Sequence, residues 1–206
     1  MTTSNYPTIA SLLLAAGASR RMGQPKQLLK INTTQTLIES TISSLHAVSC
    51  PQKAIVLGAN AALIEQTIDG CGMTFVHNPN WEKGMGTSLQ CGLQFLLQQQ
   101  PNLEAVLLSV CDQPYLTTEL LLQLVTTYQT TQAPIIAAKY GNDRLGVPAL
   151  IHKRFFPPLL ALEADRGARK IIQQNPHLVA TVSFPKGAID LDTPEAYQNY
   201  LASINQ

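Results

Sequence analysis

The amino-acid sequence predicts an α/β fold with a mostly parallel sheet, and two observations support this prediction. Short apolar runs alternate with longer segments in which apolar residues recur at helical spacing, as in strands joined by crossover helices. The composition, with 45% hydrophobic and 13% charged residues, is typical of a globular protein with a large core. Because 206 residues suit one α/β domain, residues 1–206 are predicted to form a single domain.

The first predicted strand ends in a loop that combines small residues with cations. Residues 9–16 are apolar and have the length of a buried strand. The loop after them carries two glycines, a serine and three cations, namely Gly17, Ser19, Arg20, Arg21, Gly23 and Lys26. Glycine lets backbone N–H groups approach an anion, and Arg and Lys neutralise its charge. The loop is therefore predicted to bind phosphate groups, with an ordinary basic surface loop as the alternative.

The spacing within this loop excludes the two commonest phosphate-binding motifs. Gly17 and Gly23 are too far apart for G-x-G-x-x-G. Lys26 neither follows Gly23 directly nor precedes a Ser or Thr, as G-x-x-x-x-G-K-[ST] requires. A Rossmann-type NAD site and a P-loop are thus both disfavoured.

Helix starts are predicted from capping residues along the chain. Thr36 and Glu39 form a capping box, and Asn60 precedes a second apolar-periodic segment. Further predicted caps are Thr87 or Ser88, then Thr117, and finally Thr193 with Pro194 at the first helical position. Shorter helices are predicted at residues 155–162 and 171–174.

Further predicted strands lie at residues 53–57, 73–77, 105–110, 134–138, 149–151 and 179–182. In a right-handed, mostly parallel sheet, ligands bind outside the carboxyl ends of the strands. Asn78, residues 84–88 and Asp112 all follow such ends, as the phosphate loop does. These four segments are therefore expected to line one edge of the sheet.

Three aspartates are candidates for holding a metal ion. Asp112 directly follows an apolar strand, and Asp190 and Asp192 precede the last helix. Since Mg²⁺ prefers carboxylate and phosphate oxygens, Asp112 and Asp192 are predicted to share one magnesium ion. The alternatives are a turn aspartate bonded to its own backbone and an acid that interacts with a helix dipole. The choice between Asp190 and Asp192 as the main second ligand stays open.

Charge and hydropathy exclude several classes of partner. The net charge is +1 and no basic face is evident, which argues against nucleic-acid binding. No charged n-region precedes the first apolar run, and no run approaches the length of a membrane span. A cytoplasmic protein with no membrane partner is expected.

The motifs, taken together, resemble those of one enzyme family. L-A-A-G-x-S-x-R-M-G-x-P-K, G-M-G-x-S-L, C-D-Q-P, G-x-P, D-x-G-A-R and D-x-D-T-P-E occur in the order found in MobA-like nucleotidyltransferases. The chain is most similar to the molybdenum cofactor cytidylyltransferase branch. The resemblance implies a three-layer Rossmann-like fold of the GT-A nucleotidyltransferase type.

The resemblance also implies roles for individual residues. Arg21, Lys26 and Asp112 would be catalytic, and Asp112 and Asp192 would hold Mg²⁺. The nucleotide would be bound by Ala15, Ala16, Gly17, Ser19, Arg21, Gly23, Lys26, Asn78, Gly86, Ser88 and Asp112. The acceptor would contact Gly146, Pro148, Asp165, Gly167 and Arg169, although Ala164 stands where relatives carry the first glycine of G-D-x-G-A-R.

The implied reaction transfers CMP from CTP to the phosphate of a molybdopterin-type cofactor and releases pyrophosphate. Relatives that use GTP show L-A-G-G, so Ala16 favours CTP over GTP or another NTP. A molybdoenzyme or its maturation chaperone is the implied protein partner. The alternatives are a nucleotidyltransferase acting on GTP or on a sugar or polyol phosphate, a non-catalytic cofactor-binding chaperone and, least favoured, a Rossmann-type redox enzyme.

Overall fold

Helices pack on both faces of a seven-stranded sheet in the computed structural model, which describes residues 8–204. The strands are β1 (Ile9–Leu14), β2 (Gln52–Leu57), β3 (Thr74–His77), β4 (Ala105–Val110), β5 (Ile135–Lys139), β6 (Leu145–His152) and β7 (Val179–Ser183). The helices are α1 (Leu37–His46), α2 (Ala61–Thr67), α3 (Met85–Gln99), α4 (Thr118–Thr131), α5 (Phe156–Leu160), α6 (Arg169–Gln174) and α7 (Pro194–Ile204). Short 3₁₀ helices lie at Lys26–Leu28, Trp81–Lys83, Lys153–Phe155, Pro176–Leu178 and Pro185–Ala188.

The sheet is mostly parallel, as the sequence predicts. Its strand order is β3-β2-β1-β4-β6-β5-β7, and only β6 runs antiparallel, to both β4 and β5. Strand order reverses next to β1, where β2 lies on one side and β4 on the other. In open α/β sheets such a reversal opens a crevice at the carboxyl ends of the strands.

Both faces of the central strands are buried, which explains why β1 and β4 are continuous apolar runs. The edge strands β3 and β7 are partly exposed and include polar residues. One face carries Leu13, Ile55 and Leu107 and packs against α1, α2, α4 and α7. The other carries Leu12 and Val56 and packs against α3, α5 and α6. This is the three-layer arrangement that the resemblance implies.

Two of the predicted helix caps are wrong. Asn60 adopts a left-handed conformation, with φ of 57°, and its side chain makes no capping hydrogen bond to α2. Helix α3 begins at Met85, after Gly84, so Thr87 and Ser88 lie inside its first turn. The capping box of Thr36 and Glu39 and the cap by Thr117 are confirmed.

The antiparallel strand β6 is longer than predicted. The sequence predicts a strand only at residues 149–151, whereas β6 extends from Leu145 to His152. Residues 140–144 connect β5 directly to β6, and a connection this short can only return the chain antiparallel. The start of β6 therefore reaches the edge of the sheet where β4 ends.

Gly92 lets α3 pack closely on the sheet. A Cβ at Gly92 would clash with the side chains of Leu12 and Val56. This contact fixes α3 across β1 and β2, so that its first residues reach the carboxyl edge of the sheet. Within residues 8–204, no helix combines the length and the apolar character that crossing a membrane requires.

Candidate active site

The loop after β1 is held in place by one buried glutamine. Gln27 is only 1% exposed, and its Nε2 donates hydrogen bonds to the carbonyls of Ala15 (2.8 Å) and Gly17 (2.9 Å). Its Oε1 accepts from the hydroxyl of Ser19 at 3.3 Å. Sequence reasoning missed this residue, because nothing in the sequence distinguishes a buried glutamine from a surface one.

Ser19 shapes the middle of the same loop. Its backbone has a φ of 53°, its Oγ accepts from the amide of Lys26 at 3.0 Å, and its carbonyl accepts from the amide of Met22. Gly23 has a φ of 74°, where a side chain would be strained. The loop therefore turns back on itself and directs Lys26 towards the end of β4.

Lys26 joins the three parts of the chain that the sequence predicts to meet. Its Nζ donates to Asp112 Oδ2 at 2.9 Å and to Asp192 Oδ1 at 2.6 Å. The other oxygen of Asp192, Oδ2, accepts from Arg21 at 2.7 Å. The Lys26 side chain is 13% exposed, whereas that of Arg21 is 70% exposed. The predicted catalytic residues thus form one cluster, with a shielded lysine at its centre.

Burial and the neighbouring charges shift the pKa values of the side chains in this cluster. Burial alone would lower the pKa of Lys26, but Asp112 and Asp192 outweigh burial and raise it. Partial burial likewise opposes ionisation of Asp192, yet the bonds from Lys26 and Arg21 lower its pKa. Asp190 behaves differently, because burial and then the negative charges of Asp112 and Asp192 raise its pKa to about 6. The cluster therefore has more negative charge than Lys26 neutralises.

A cavity of about 390 Å³, named here the loop cavity, opens beside this cluster. Its lining includes seven of the residues predicted to bind nucleotide, namely Ala15, Ala16, Gly17, Ser19, Lys26, Ser88 and Asp112. Arg20 of the same loop also lines it, as do Gly84 and Met85 of the segment 84–88 that is expected at this edge. Gln27 and Trp81 line it as well, although the sequence predicts no role for them. The chain has a single tryptophan, and its position directly after the turn that follows β3 was the available signal for Trp81.

Four residues predicted to bind nucleotide do not line the loop cavity. Arg21 is one and reaches the cluster through Asp192, while Gly23 lies in the exposed part of the loop. Asn78 is buried and donates to Thr87 Oγ1 (2.9 Å) and Ser88 Oγ (3.0 Å), so it positions the first turn of α3. Gly86 packs against the backbone of residues 163–166, where a Cβ would clash with the carbonyl of Glu163.

A second cavity, of about 240 Å³, adjoins the first and is named here the β6 cavity. The two cavities share Leu14, Met85, Val110 and Asp112 in their walls. Asp112 therefore faces both, at the point where a group bound in one cavity would meet a group bound in the other. Two adjoining compartments with acids and cations between them suit a reaction that joins two substrates.

The residues predicted to contact the acceptor divide into two groups. Gly146, Gly167 and Arg169 line the β6 cavity. Pro148 is buried beyond the lining, and Asp165 is exposed and lies 3.8 Å from Arg166 in an ion pair. The part of the predicted set that reaches the cavity thus comes from the start of β6 and the residues before α6.

The carboxylates of Asp112 and Asp192 converge closely enough to share one cation, as the Lys26 ammonium between them demonstrates. Within residues 8–204, no three His, Cys, Asp or Glu side chains are grouped so as to hold a metal ion by themselves. Mg²⁺ usually takes one or two protein carboxylates and completes its shell with phosphate and water oxygens. The residues present fit that kind of site.

The model of the MobA-like NTP transferase domain family matches residues 11–179, which is most of the chain. The chain belongs to this family. The resemblance found in the sequence motifs is therefore confirmed, and with it the nucleotidyltransferase class and a nucleotide substrate.

Several relatives share this α/β architecture or much of the sequence. Nicotine blue oxidoreductase of Paenarthrobacter nicotinovorans is 29% identical over 205 residues, which cover 95% of this chain and 97% of the relative. The bifunctional protein GlmU of Francisella tularensis subsp. novicida is 27% identical over 148 residues, which cover 71% of this chain but only 31% of GlmU. A crystal structure of the Mycobacterium sp. strain JC1 homologue of Mycobacterium tuberculosis Rv0371c superposes with a TM-score of 0.81 at 28% identity, covering 97% of this chain and 98% of that one.

Proposed function

We propose that this protein transfers CMP from CTP to the phosphate of a molybdopterin-type cofactor and releases pyrophosphate. The observation that carries the proposal is the Lys26 Nζ that bridges Asp112 and Asp192 between two adjoining cavities. A protein that only stores or carries a cofactor needs no such charge cluster between two compartments. The cluster therefore favours a transferase over a cofactor-binding chaperone.

The reaction needs screening and orientation more than it needs a protein nucleophile. An oxygen of the acceptor phosphate forms a bond to the α-phosphorus of CTP, while the bond from that phosphorus to the α,β-bridging oxygen breaks. The electron pair leaves with pyrophosphate. Since both reactants are anions, Lys26 and Arg21 would screen their repulsion and stabilise the charge that develops on the leaving group.

We propose that Asp112 and Asp192 hold Mg²⁺ in the working enzyme. Bound there, the ion would supply further positive charge close to the α-phosphate. Asp112→Asn and Asp192→Asn should each remove most of the magnesium-dependent pyrophosphate release. The double variant should lose little more than the worse single one, because residues that act as a unit are not additive.

Two measurements make the test of this metal site specific. Asp190→Asn is the matched control, because it also removes a carboxylate from the cluster and should be milder if Asp190 only flanks the site. Binding of Mn²⁺, followed by electron paramagnetic resonance in the absence of substrates, reports on the ligands without relying on activity. Unchanged Mn²⁺ affinity in both Asp112→Asn and Asp192→Asn would contradict the assignment.

The choice of CTP rests on Ala16. Ala16 is one of the residues that line the loop cavity, and the resemblance implies glycine at this position in relatives that use GTP. A methyl group there reduces the space for a larger base. Side-by-side kinetics with a molybdopterin-type acceptor should give a higher kcat/KM for CTP than for GTP, and a preference for GTP would overturn the assignment.

A second candidate function is oxidoreductase chemistry, which the nearly full-length similarity to nicotine blue oxidoreductase favours. The loop cavity argues against it, because its lysine and carboxylates suit a triphosphate rather than an electron carrier. Parallel assays separate the two functions. Pyrophosphate formed from NTP supports transfer, whereas oxidation of a reduced nicotinamide dinucleotide without pyrophosphate supports the redox alternative.

A further inference from the structure

The β6 cavity contains two arginines that form no ion pair with a carboxylate of the described residues. Arg144 comes from the connection between β5 and β6, and Arg169 is the first residue of α6. Both line the cavity, and within residues 8–204 neither guanidinium forms an ion pair with Asp or Glu. The resemblance predicted Arg169 as an acceptor contact, whereas Arg144 had no predicted role.

Other cations on the same two segments are paired. Lys139 lies 2.9 Å from Asp143, and Lys170 lies 2.9 Å from Glu163. Arg166 lies 3.6 Å from the same Glu163. The paired cations lie outside the cavity and the unpaired ones line it, which indicates that the two arginines are left for a ligand.

A network of hydrogen bonds fixes the backbone of Arg144 relative to the end of β4. Buried Gln113, which follows Asp112 directly, donates through Nε2 to Tyr140 Oη at 3.0 Å and to the carbonyl of Gly187 at 2.8 Å. The amide of Tyr140 in turn donates to the carbonyl of Arg144 at 2.9 Å. The turn that carries Arg144 is thus anchored to the strand that carries Asp112.

The charges of the β6 cavity favour a ligand with more than one negative charge. Two carboxylates, Asp112 and Asp190, also line the cavity. Lys26 neutralises Asp112, which leaves Asp190 against two guanidinium groups. Guanidinium groups bind phosphate oxygens through two parallel hydrogen bonds, and Leu14, Val110 and Met85 supply an apolar wall for the rest of the ligand.

We infer that Arg144, together with Arg169, binds the dianionic phosphate monoester of the acceptor and holds it against the Asp112 side of the nucleotide. This inference rests on the proposed function, because only a transfer reaction has an acceptor. It adds a specificity-determining residue from the connection between β5 and β6 to the residues that the sequence motifs predict. An acceptor whose attacking group is a neutral hydroxyl would not need two unpaired guanidinium groups.

The test uses phenyl phosphate as a probe of the β6 cavity. The full chain is first saturated with a CTP analogue that carries a methylene group between the α- and β-phosphorus, in the presence of Mg²⁺. Phenyl phosphate is then titrated calorimetrically into the wild type, Arg144→Gln and Arg154→Gln. The control Arg154 is exposed and lies over the ring of Phe155, away from both cavities.

Arg144→Gln should weaken binding of phenyl phosphate at least tenfold, and Arg154→Gln should bind like the wild type. Benzoate, which has one negative charge, should bind more weakly than phenyl phosphate. Three results would overturn the inference: no binding to the wild type, equal affinity in Arg144→Gln, or equal affinity for benzoate.

Binding of the CTP analogue, followed by Trp81 fluorescence, tests the nucleotide site separately. If the analogue does not bind, the proposed function is contradicted. Titration of phenyl phosphate into the wild type, Arg144→Gln and Arg154→Gln then still decides the role of Arg144.

Discussion

Replacing Lys26 by methionine should impair both catalysis and stability. The substitution keeps the length of the side chain but removes the ammonium that lies 2.9 Å from Asp112 and 2.6 Å from Asp192. Asp112 would then lose the cation with which it pairs, and Arg21, 2.7 Å from Asp192, would remain beside the three carboxylates Asp112, Asp190 and Asp192. We expect turnover to fall by about 10²–10³-fold, as it does when one preorganised contact to developing charge is removed.

The expected loss of stability follows from the exposure of the carboxylates. Breaking a fully buried ion pair costs about 3–5 kcal/mol, whereas an exposed pair contributes about 0–1 kcal/mol. The side chains of Asp112 and Asp192 are 21% and 35% exposed, so their environment is intermediate. We therefore expect Lys26→Met to lower the free energy of unfolding by about 1–3 kcal/mol at pH 7.

The stabilisation by Lys26 should depend on pH in a definite way. The pKa of Asp192 is lowered, so its contribution is present above the ordinary carboxyl value of 3.8 and is lost as pH falls through the lowered value. The pKa of Lys26 is raised, so its contribution is present below 10.5 and is lost as pH rises through the raised value. The difference between wild type and Lys26→Met should thus persist between the ordinary values of 3.8 and 10.5 and shrink as pH falls below 3.8 through the lowered pKa of Asp192.

Urea denaturation and pyrophosphate release on the same preparations measure both effects. Lys153→Met is the matched control, because Lys153 lies 3.6 Å from Glu104 in an exposed ion pair beyond β6, at the opposite edge of the sheet from the site. The control should keep full turnover and lose at most about 1 kcal/mol. Turnover of Lys26→Met within about threefold of the wild type, a range too small for loss of such a contact, would refute the role assigned to Lys26.

Three further predictions concern the residues around the cluster. Gln27→Leu should cost about 1–3 kcal/mol in urea denaturation, because it removes a donor from the buried carbonyl of Ala15 and from that of Gly17, whereas exposed Gln24→Leu should cost little. Gly86→Ala should destabilise by about 1–3 kcal/mol, since its Cβ would clash with the carbonyl of Glu163, and an equally stable variant would show that residues 163–166 move freely. Because the pKa of Asp190 is raised to about 6, stability from this group falls as pH rises through that value. Asp190→Asn should therefore raise the melting temperature at pH 7.5 but not at pH 4. A lower melting temperature at pH 7.5 would contradict the destabilisation of the Asp190 carboxylate by burial and by the charges of Asp112 and Asp192.

Much of the fold follows from local patterns in the sequence. The predicted strands before residue 140 all form. The central ones are apolar runs buried on both faces of the sheet, whereas the edge strand β3 is partly exposed and forms by pairing with β2. The cap at Thr117 and the capping box at Thr36 form because their donors and acceptors lie within the same turn. Strand β6 is underestimated, since its first residues, beginning at Leu145, pair with β5 despite their polar surroundings.

The convergence of the site was predictable, but its internal supports were not. The phosphate loop, Asp112 and Asp192 meet because parallel strands end at one edge of the sheet. By contrast, the burial of Gln27 depends on packing between segments far apart in sequence. The contacts through which Asn78 and Gly86 support α3 also depend on tertiary neighbours that no spacing rule reveals.

The position of bond cleavage in CTP tests the central claim most directly. Two samples of CTP, one labelled with ³²P at the α-phosphate and one at the γ-phosphate, are incubated with the protein, Mg²⁺ and a molybdopterin-type acceptor. Transfer of CMP predicts that the α-label enters the acceptor and the γ-label appears in pyrophosphate. Appearance of the γ-label in inorganic phosphate or in the acceptor, with no α-label transferred, would contradict nucleotidyl transfer at this site.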